Sequence, residues 1–330
     1  MEVEPGCPKR MVYGPCGGVR PDLRCEVAEH RCPFTERPVV AWEGAQPSPT
    51  PVSELLTRRP LVLPDLTVPP YDPVAVRRVT AVLAPVSDVL LLGEHSNRPD
   101  LPPALLASLV LDAGGQPLVT LSCRDRNRVG LEQELHGLAA IGAAGVLCVT
   151  GDARGPGVRP GATQVFDLDG TRLAHLAAET GLLTAVPEAP GAPPEALRAA
   201  RLREKQRAGA DLCVLNHVRS PAQLAVFVAD TQALGCTLPF VAGVAVYTDR
   251  RSAEVLLRFP GLDLDPAAVA AVLGAPDPVE AGIAAAVAEA RALLAVPGVV
   301  GVNLSGLASD RGFGEAARVK AEVARRVRQP

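Results

Sequence analysis

Four cysteines near the N-terminus are the residues whose type and spacing most clearly indicate chemistry. They are Cys7, Cys16, Cys25 and Cys32, separated in turn by eight, eight and six residues. Structural zinc sites are commonly built from four thiolates. A segment of about 35 residues without an apolar core needs such a staple in order to fold. We therefore expect residues 1–36 to form a cysteine-rich metal-binding module.

The identity of the metal is left open by these four thiols. The tight cysteine pairs of standard zinc fingers, with two residues between the ligands, are absent from this segment. Iron–sulfur clusters are also held by four thiolates, so zinc and an iron–sulfur cluster are both candidates. His30 could replace one thiolate, and four unmetallated cysteines are a third alternative.

The composition disfavours several classes of partner. The chain has 330 residues and a net charge of −3, and no basic stripe is interleaved with aromatic residues, which disfavours nucleic acid. No run of about 18 uncharged apolar residues occurs, so we expect no membrane span. The N-terminus lacks the basic and apolar regions of a secretory signal. These features predict a cytoplasmic protein.

Two further segments follow the cysteine-rich one. Residues 37–60 are rich in proline and predict a linker with one short helix. From Leu61 onward, short apolar runs alternate with amphipathic stretches, a pattern typical of parallel βαβ units. The runs cover residues 61–67, 87–92, 117–121, 145–149, 182–186, 211–215, 239–246 and 299–304. Eight strands close a barrel, so we predict an α/β fold, a (β/α)8 TIM-like barrel over residues 61–330, with extra helices in the insert 249–297.

Polar residues follow most of the apolar runs. The active site of a (β/α)8 barrel lies at the C-terminal ends of its strands. Candidates at this rim are Glu94, Arg124, Asp152, Glu188, Asn216 and His217. We expect Asp152, Glu188 and Asn216 to share one working face.

Several stretches of the chain, in their order and spacing, resemble one enzyme family. The stretch SCRDRNRVGLEQELHGLAAIGAAGVLCVTGD at 122–152 resembles the segment from the third to the fourth strand of the methylenetetrahydrofolate reductases. Three more resembling stretches are VFDLDGTRLAHL at 165–176, LREKQRAGADLCVLNH at 202–217 and PFVAGVAVYTDRRSAEVL at 239–256. The string CPKRMVYGPCGG at 7–18 is similar to a cysteine domain found in, or beside, some bacterial members, where it usually lies C-terminally.

The resemblance implies a flavoenzyme of one-carbon metabolism and methionine biosynthesis. Such an enzyme binds FAD and reduces 5,10-methylenetetrahydrofolate to 5-methyltetrahydrofolate, with NAD(P)H as a possible electron donor. The flavin supplies the hydride chemistry, and the protein orients it. Asp152 matches the Asp of the family's Gly-Asp motif, which lies beside flavin and pterin. A carboxylate there accepts hydrogen bonds from the pterin's N–H groups.

The resemblance also assigns contacts to the cofactor. The implied flavin-binding residues are Thr120, Arg124, Thr150, Gly151, Asp152, Asp169 and Lys205. Arg124, Arg126 or Lys205 would neutralise phosphate, because their cationic groups match its oxygens. The alternative for these three cations is a solvated helix face.

The first strand departs from the family pattern at its general acid. Typical members end this strand in a Glu that is followed by two residues and a Pro-Pro pair. Alignment on the two prolines at 69–70 puts Leu66 at the Glu position, and Asp65 lies one residue away. Neighbouring strand residues point to opposite faces, so only a bulge would bring Asp65 to the position of the acid.

Two contact positions also differ from the family. Thr120 stands where typical members have a His. Asn216 replaces the Gln that contacts folate, and its side chain is one methylene shorter. The flavin contact and the substrate contact are therefore both altered.

Two functions are the main alternatives at this point, and another kind of barrel enzyme is a third. The first is a reductase with Asp65, Asp152 and Glu188 as candidate catalytic residues and with Asp152 and Asn216 as folate contacts. The second is a non-reducing folate-binding protein or accessory subunit of a one-carbon or methyl-transfer complex. A partner subunit or a homo-oligomer is compatible with both.

Overall fold

Eight parallel strands form the centre of the protein. The computed structural model describes residues 3–45, 54–57, 60–95, 99–154, 157–159, 161–258, 262, 264–306 and 308–329. The strands are β1 (Leu61–Pro64), β2 (Leu90–Leu92), β3 (Pro117–Ser122), β4 (Gly145–Val149), β5 (Leu183–Glu188), β6 (Leu212–His217), β7 (Phe240–Val246) and β8 (Val299–Gly306). All eight predicted apolar runs form strands.

The strands follow one another around a nearly closed barrel. Each strand from β2 to β8 pairs in parallel with the next, and β8 pairs with β1. Between β1 and β2 the link is a single parallel bridge from Asp65 to Leu91, supported by a hydrogen bond from Leu66 N to Leu91 O at 2.9 Å. The predicted (β/α)8 barrel is confirmed.

Helices connect the strands. They are α1 (Glu54–Thr57), α2 (Pro73–Leu83), α3 (Pro103–Asp112), α4 (Arg128–Ala140), α5 (Gly170–Glu179), α6 (Arg198–Arg207), α7 (Pro221–Ala233), α8 (Arg250–Leu257), α9 (Pro266–Leu273), α10 (Pro278–Leu294) and α11 (Phe313–Arg328). The insert between β7 and β8 contains α8, α9 and α10, as the sequence predicts. Among the described residues, no helix has the length and apolar character needed to cross a membrane.

Alternation along each strand separates two cores. Leu63 and Leu118 pack in an inner cluster inside the barrel, whereas Val62 and Val119 pack in an outer cluster between strands and helices. This two-residue period sets the direction of every polar residue at a strand end. Complete burial of one such leucine contributes about 1.5–3 kcal/mol.

The N-terminal residues lie against the barrel with little regular structure. Residues 3–36, called here the cysteine segment, contain one 3-10 turn, Pro33–Glu36, and one antiparallel bridge between Arg24 and Arg31. Met11, with three other residues, forms a small apolar core of this segment. Its other members are Val19, Cys32 and Phe34. The predicted linker 37–60 falls partly outside the described residues, which include helix α1 within it.

Candidate functional site

The inward face of β1 is followed by a carboxylate. Leu61 and Leu63 lie in the inner cluster, and the strand period places Asp65 on the same side. Asp65 Oδ1 accepts a hydrogen bond from Asn303 Nδ2 at 2.8 Å, and this amide group also donates to Leu63 O at 2.8 Å. Leu66 packs against the outer cluster. A carboxylate therefore faces the interior at the C-terminal end of β1.

The direction of Asp65 follows from alternation alone. The pairing of β1 with β8 runs without a register shift from Leu61 to Pro64. Leu66, the residue aligned with the family's Glu, faces outward, and the inward position belongs to Asp65. Alignment on the prolines at 69–70 therefore assigns the position of the acid to Leu66, whereas the fold turns Asp65 towards the interior.

Two other predicted contacts lie in the C-terminal halves of their strands. Thr120 is half-buried on β3, two residues after the inward-facing Leu118. Asn216 is exposed near the end of β6, where the pairing with β7 shifts register between Val214 and His217. Both side chains thus remain available at the C-terminal rim of the barrel.

Asp152 follows β4 and is exposed to solvent. The preceding Gly151 has a φ of +90°, and a Cβ there would lie 2.2 Å from Ser122 Oγ, so the loop requires glycine. Partial desolvation by the surrounding protein raises the pKa of the Asp152 carboxyl, with the charge of Lys9 opposing the shift and the charge of Glu26 adding to it. A carboxylate in this position can accept N–H donors from a ligand.

The arginines assigned to phosphate already have protein partners. Arg124 is buried and donates from Nη1 to Asp152 O at 3.0 Å and from Nη2 to His95 O at 3.3 Å. Arg126 Nη1 pairs with Glu94 Oε1 at 2.5 Å. These guanidinium groups shape the loops after β3 and β4 through contacts within the chain.

Glu188 points away from the barrel interior. It has the same strand phase as Val186, which packs in the outer cluster. Its carboxylate is buried against α6, where Arg201 Nη1 lies at 3.1 Å, Lys205 Nζ at 2.8 Å and Arg198 Nη1 at 3.6 Å. The sequence predicted that Glu188 shares one working face with Asp152 and Asn216. In the structure Glu188 instead faces outward from the barrel, on the opposite side from the inward face that Asp65 occupies.

The charge state of Glu188 also differs from that of a general acid. Burial alone would raise the pKa of this carboxyl, but the positive charges of Arg201, Lys205 and Arg198 outweigh burial and lower the pKa to about 2. Glu188 is thus ionised at neutral pH and holds no proton to donate. Lys205, assigned to flavin phosphate, is completely enclosed in the same cluster.

The sequence analysis missed Arg198 and Arg201, although the pattern contained a signal for them. Residues 198, 201 and 205 have the spacing of one helix face, so three cations line up opposite the end of β5. Three positive charges facing one carboxylate leave an excess of two positive charges in a buried site. Among the described residues, only Glu188 forms ion pairs with these cations.

The cysteine segment contacts the loop after β4, where the flavin was expected. Lys9 Nζ donates to Gly151 O at 2.9 Å, and Thr150 Oγ1 lies 3.6 Å from Met11 Sδ. Thr150 Oγ1 also accepts from Gly170 N at 2.9 Å. Gly151 O and Thr150 Oγ1 therefore both have partners within the chain.

Asp169 is occupied in the same way. It is fully buried and caps α5, accepting from Arg172 N at 3.0 Å through Oδ1. Its second oxygen accepts from Val12 N at 2.9 Å. Both oxygens of Asp169 thus hold backbone amides, one from α5 and one from the cysteine segment.

The four N-terminal cysteines line one small cavity. Its volume is about 10 Å³, and Cys7, Cys16, Cys25 and Cys32 all contribute to its wall. All four are free thiols. Burial raises the pKa of Cys7, and it raises the pKa of Cys32 to about 11. In the described part of the chain, no group of three or more His, Cys, Asp or Glu side chains has the arrangement needed to hold a metal ion.

A larger cavity opens at the ends of β6 and β7. Its volume is about 540 Å³, within the range of small-molecule sites. His217 Nε2 and Glu289 Oε1 lie 2.7 Å apart in its wall. Other lining residues are Ala245, Tyr247, Asp265 and Ala286. The cavity wall includes His217, the residue that follows Asn216, and it contains both apolar and polar side chains.

Comparison with known proteins establishes the fold. No protein-family model and no curated protein sequence matches the chain. An uncharacterised protein from Clostridium thermocellum that binds two copies of 5-methyl-5,6,7,8-tetrahydrofolic acid aligns with a TM-score of 0.59 and 11% identity, over 82% of this chain and 98% of that chain. Tryptophan synthase from M. tuberculosis aligns with a TM-score of 0.50 and 16% identity, over 86% of this chain and 100% of that chain. Identities this low show a shared barrel only.

The Glu188 cluster predicts a pH-dependent contribution to stability. A carboxyl whose pKa falls on folding stabilises the native state above its unfolded pKa and loses that contribution as the pH falls. Glu188→Gln should lower the free energy of unfolding by about 3–5 kcal/mol at pH 7, because it leaves three buried cations unpaired. The difference from the unmodified chain should shrink as the pH falls from 4.5 towards 2.

Urea unfolding across this pH range measures the effect. Glu179→Gln is the matched control, because Glu179 is exposed on α5 with a 59% exposed side chain. It should change stability by less than about 0.5 kcal/mol. A Glu188→Gln protein as stable as the control at pH 7 would contradict the buried cluster.

Proposed function

We propose that this chain binds a reduced folate at the C-terminal rim of its barrel, and that it serves one-carbon metabolism without a flavin. The observation that carries the choice between the two functions is the occupation of Thr150, Gly151 and Asp169 by the cysteine segment and by α5. A flavin bound as the resemblance implies would compete with these contacts for the same groups. A non-reducing binding protein or accessory subunit binds no flavin, so these contacts can stay in place.

The rim supplies groups suited to a reduced folate. The pterin ring presents amino and ring N–H donors, which the carboxylate of Asp152 can accept. The side-chain amide of Asn216 both donates and accepts, and it is exposed at the same rim. The cavity of about 540 Å³, whose wall contains the next residue along the chain, His217, has room for the aromatic part of such a ligand. The folate bound by the Clostridium thermocellum protein, which has the same fold, motivates this class of ligand.

A flavin-dependent reductase is the second candidate, and one observation favours it. Asp65 places a carboxylate on the inward face at the end of β1, next to Asn303, where a general acid would be needed. A bound FAD would supply the hydride chemistry, with NAD(P)H as its donor. In this alternative Asp65 would hold the proton, and Thr120 would lie beside the cofactor on β3.

We also propose that the four cysteines bind zinc, with an iron–sulfur cluster as the alternative. Closure of the side chains around their shared cavity would give the tetrathiolate set of a structural site. A divalent ion with four thiolates carries two negative charges, which matches the excess of two positive charges in the Glu188 cluster. Arg198 connects the two sites, because its Nη1 donates to Cys16 O at 3.1 Å.

The folate proposal predicts a specific loss of affinity. Asp152→Asn should weaken the binding of 5-methyltetrahydrofolate about tenfold to a hundredfold, because it removes one charged acceptor for the pterin. Titration calorimetry with the full chain measures the dissociation constant. Asp112→Asn, on the exposed end of α3, should leave the constant unchanged.

Absorbance of the same purified protein decides between the two candidates. We expect no flavin bands, and no FAD retained after gel filtration. Stoichiometric FAD together with reduction of 5,10-methylenetetrahydrofolate would contradict the flavin-free function and establish the reductase. A colourless protein that fails to bind any reduced folate would contradict both.

The zinc proposal predicts a response at the single tryptophan. Trp42 is buried and packs against Tyr13 with the ring centres 5.1 Å apart and the ring planes tilted by 43°. Its backbone N–H donates to Glu204 Oε2 at 2.7 Å. Removal of zinc by a strong chelator should loosen the cysteine segment and shift Trp42 emission to longer wavelength. Elemental analysis should find about one zinc per chain before chelation.

Addition of zinc after chelation should restore the emission of Trp42, and Cys32→Ser should prevent this recovery. Cys236→Ser is the matched control, because Cys236 lies after α7, far along the chain from the cysteine segment. A protein that contains neither zinc nor iron, and whose Trp42 emission ignores both chelator and metal, would contradict the metal site.

A further inference from the structure

The backbone on both sides of Asp152 is held by one ion pair from the cysteine segment. Lys9 Nζ donates to Gly151 O at 2.9 Å, and Ala153 N donates to Glu26 Oε1 at 2.8 Å. Lys9 and Glu26 also form an ion pair with each other. The residues before and after Asp152 are therefore tied to a single charged pair that lies more than a hundred positions earlier in the chain.

A third contact completes the hold on Asp152. Its own carbonyl oxygen accepts from Arg124 Nη1 at 3.0 Å. Three backbone atoms, Gly151 O, Asp152 O and Ala153 N, are thus engaged by charged side chains in two successive peptide groups. No hydrogen bond to the carboxylate itself is found among the described residues. The arrangement fixes the backbone and leaves the carboxylate available.

The Lys9–Glu26 pair is enclosed. The Lys9 side chain is 4% exposed and that of Glu26 is 20% exposed. Lys9 Nζ also lies 5.9 Å from the centre of the Phe166 ring. Charge-assisted hydrogen bonds in such a water-poor site are stronger and more directional than those between neutral groups. The pair therefore restricts the loop 151–153 more than an exposed pair would.

We propose that Lys9 and Glu26 are positioning residues of the ligand site, which set the Asp152 carboxylate for the N–H groups of a bound reduced folate. The inference rests on the proposed function and deepens it. It makes the cysteine segment part of the binding site, because displacement of this segment would release the loop 151–153. A displacement of about 1 Å in a positioned group is enough to weaken its action strongly.

Another ion pair of the segment offers a matched comparison. Arg24 Nη1 and Glu29 Oε2 lie 3.1 Å apart, and the Glu29 side chain is 76% exposed. The hydrogen-bond partners of these two side chains among the described residues all belong to the cysteine segment itself. Glu29→Gln therefore removes the same charge as Glu26→Gln from the same segment, without touching the loop after β4.

A double-mutant cycle with 5-methyltetrahydrofolate as the probe tests the proposal. Glu26→Gln should weaken binding by the full chain about tenfold, and Lys9→Met should have a similar effect. In the Asp152→Asn background each of these changes should weaken binding less than twofold, because the group that they position is already lost. Glu29→Gln should leave binding unchanged in both backgrounds.

The outcomes separate this inference from the proposed function. Thermal unfolding identifies any variant that fails to fold, and if Lys9→Met does, Glu26→Gln alone completes the cycle. Losses that add independently of Asp152, or no loss from Glu26→Gln, would overturn the positioning role while folate binding stands. Failure of the unmodified chain to bind the folate would overturn both.

Discussion

The contact between the cysteine segment and the loop after β4 is the constraint on which the rest of the site depends. Asp169 is fully buried because one of its oxygens caps α5 and the other accepts the amide of Val12. A buried carboxylate is tolerated only when its oxygens are hydrogen-bonded. The cysteine segment and α5 are therefore coupled, and loss of one partner would leave a charged group unsatisfied.

The buried charges around Glu188 also couple the cysteine segment to the barrel. Glu188 balances only one of the three cations that face it from α6. Arg198 reaches the carbonyl oxygens of Pro15 and Cys16, so the excess positive charge lies directly against the cysteine segment. An anionic metal–thiolate centre at this position would complete the charge balance. The folded cysteine segment and the excess positive charge on α6 would thus stabilise each other.

The sequence predicted the barrel well because strand burial has a simple period. Eight apolar runs became eight strands, and the helices of the insert also lay where the pattern placed them. The direction of single residues was harder to predict, because a shift of one position reverses a strand's faces. This is why the structure shows Asp65 facing inward and Glu188 outward, although the sequence marked both as candidates for the same catalytic site.

Long-range contacts were beyond any local pattern. Nothing in the spacing of Lys9 or Glu26 indicates that they meet residues 151 and 153, since more than a hundred residues intervene. Burial of the expected flavin contact Asp169 was invisible for the same reason. The three cations of α6, Arg198, Arg201 and Lys205, are different. Their spacing in the sequence places them on one helix face, and this pattern indicates a buried acid opposite them.

The central claim is that the cysteine segment is bound to the barrel at Asp169 and at the loop after β4. Amide hydrogen exchange of the native full chain tests it most directly, since protection reports which backbone groups are held in the folded state. The account predicts slow exchange at Val12 and Ala153, whose N–H groups donate to Asp169 and Glu26. Exchange at these two amides as fast as in an unfolded peptide would contradict it.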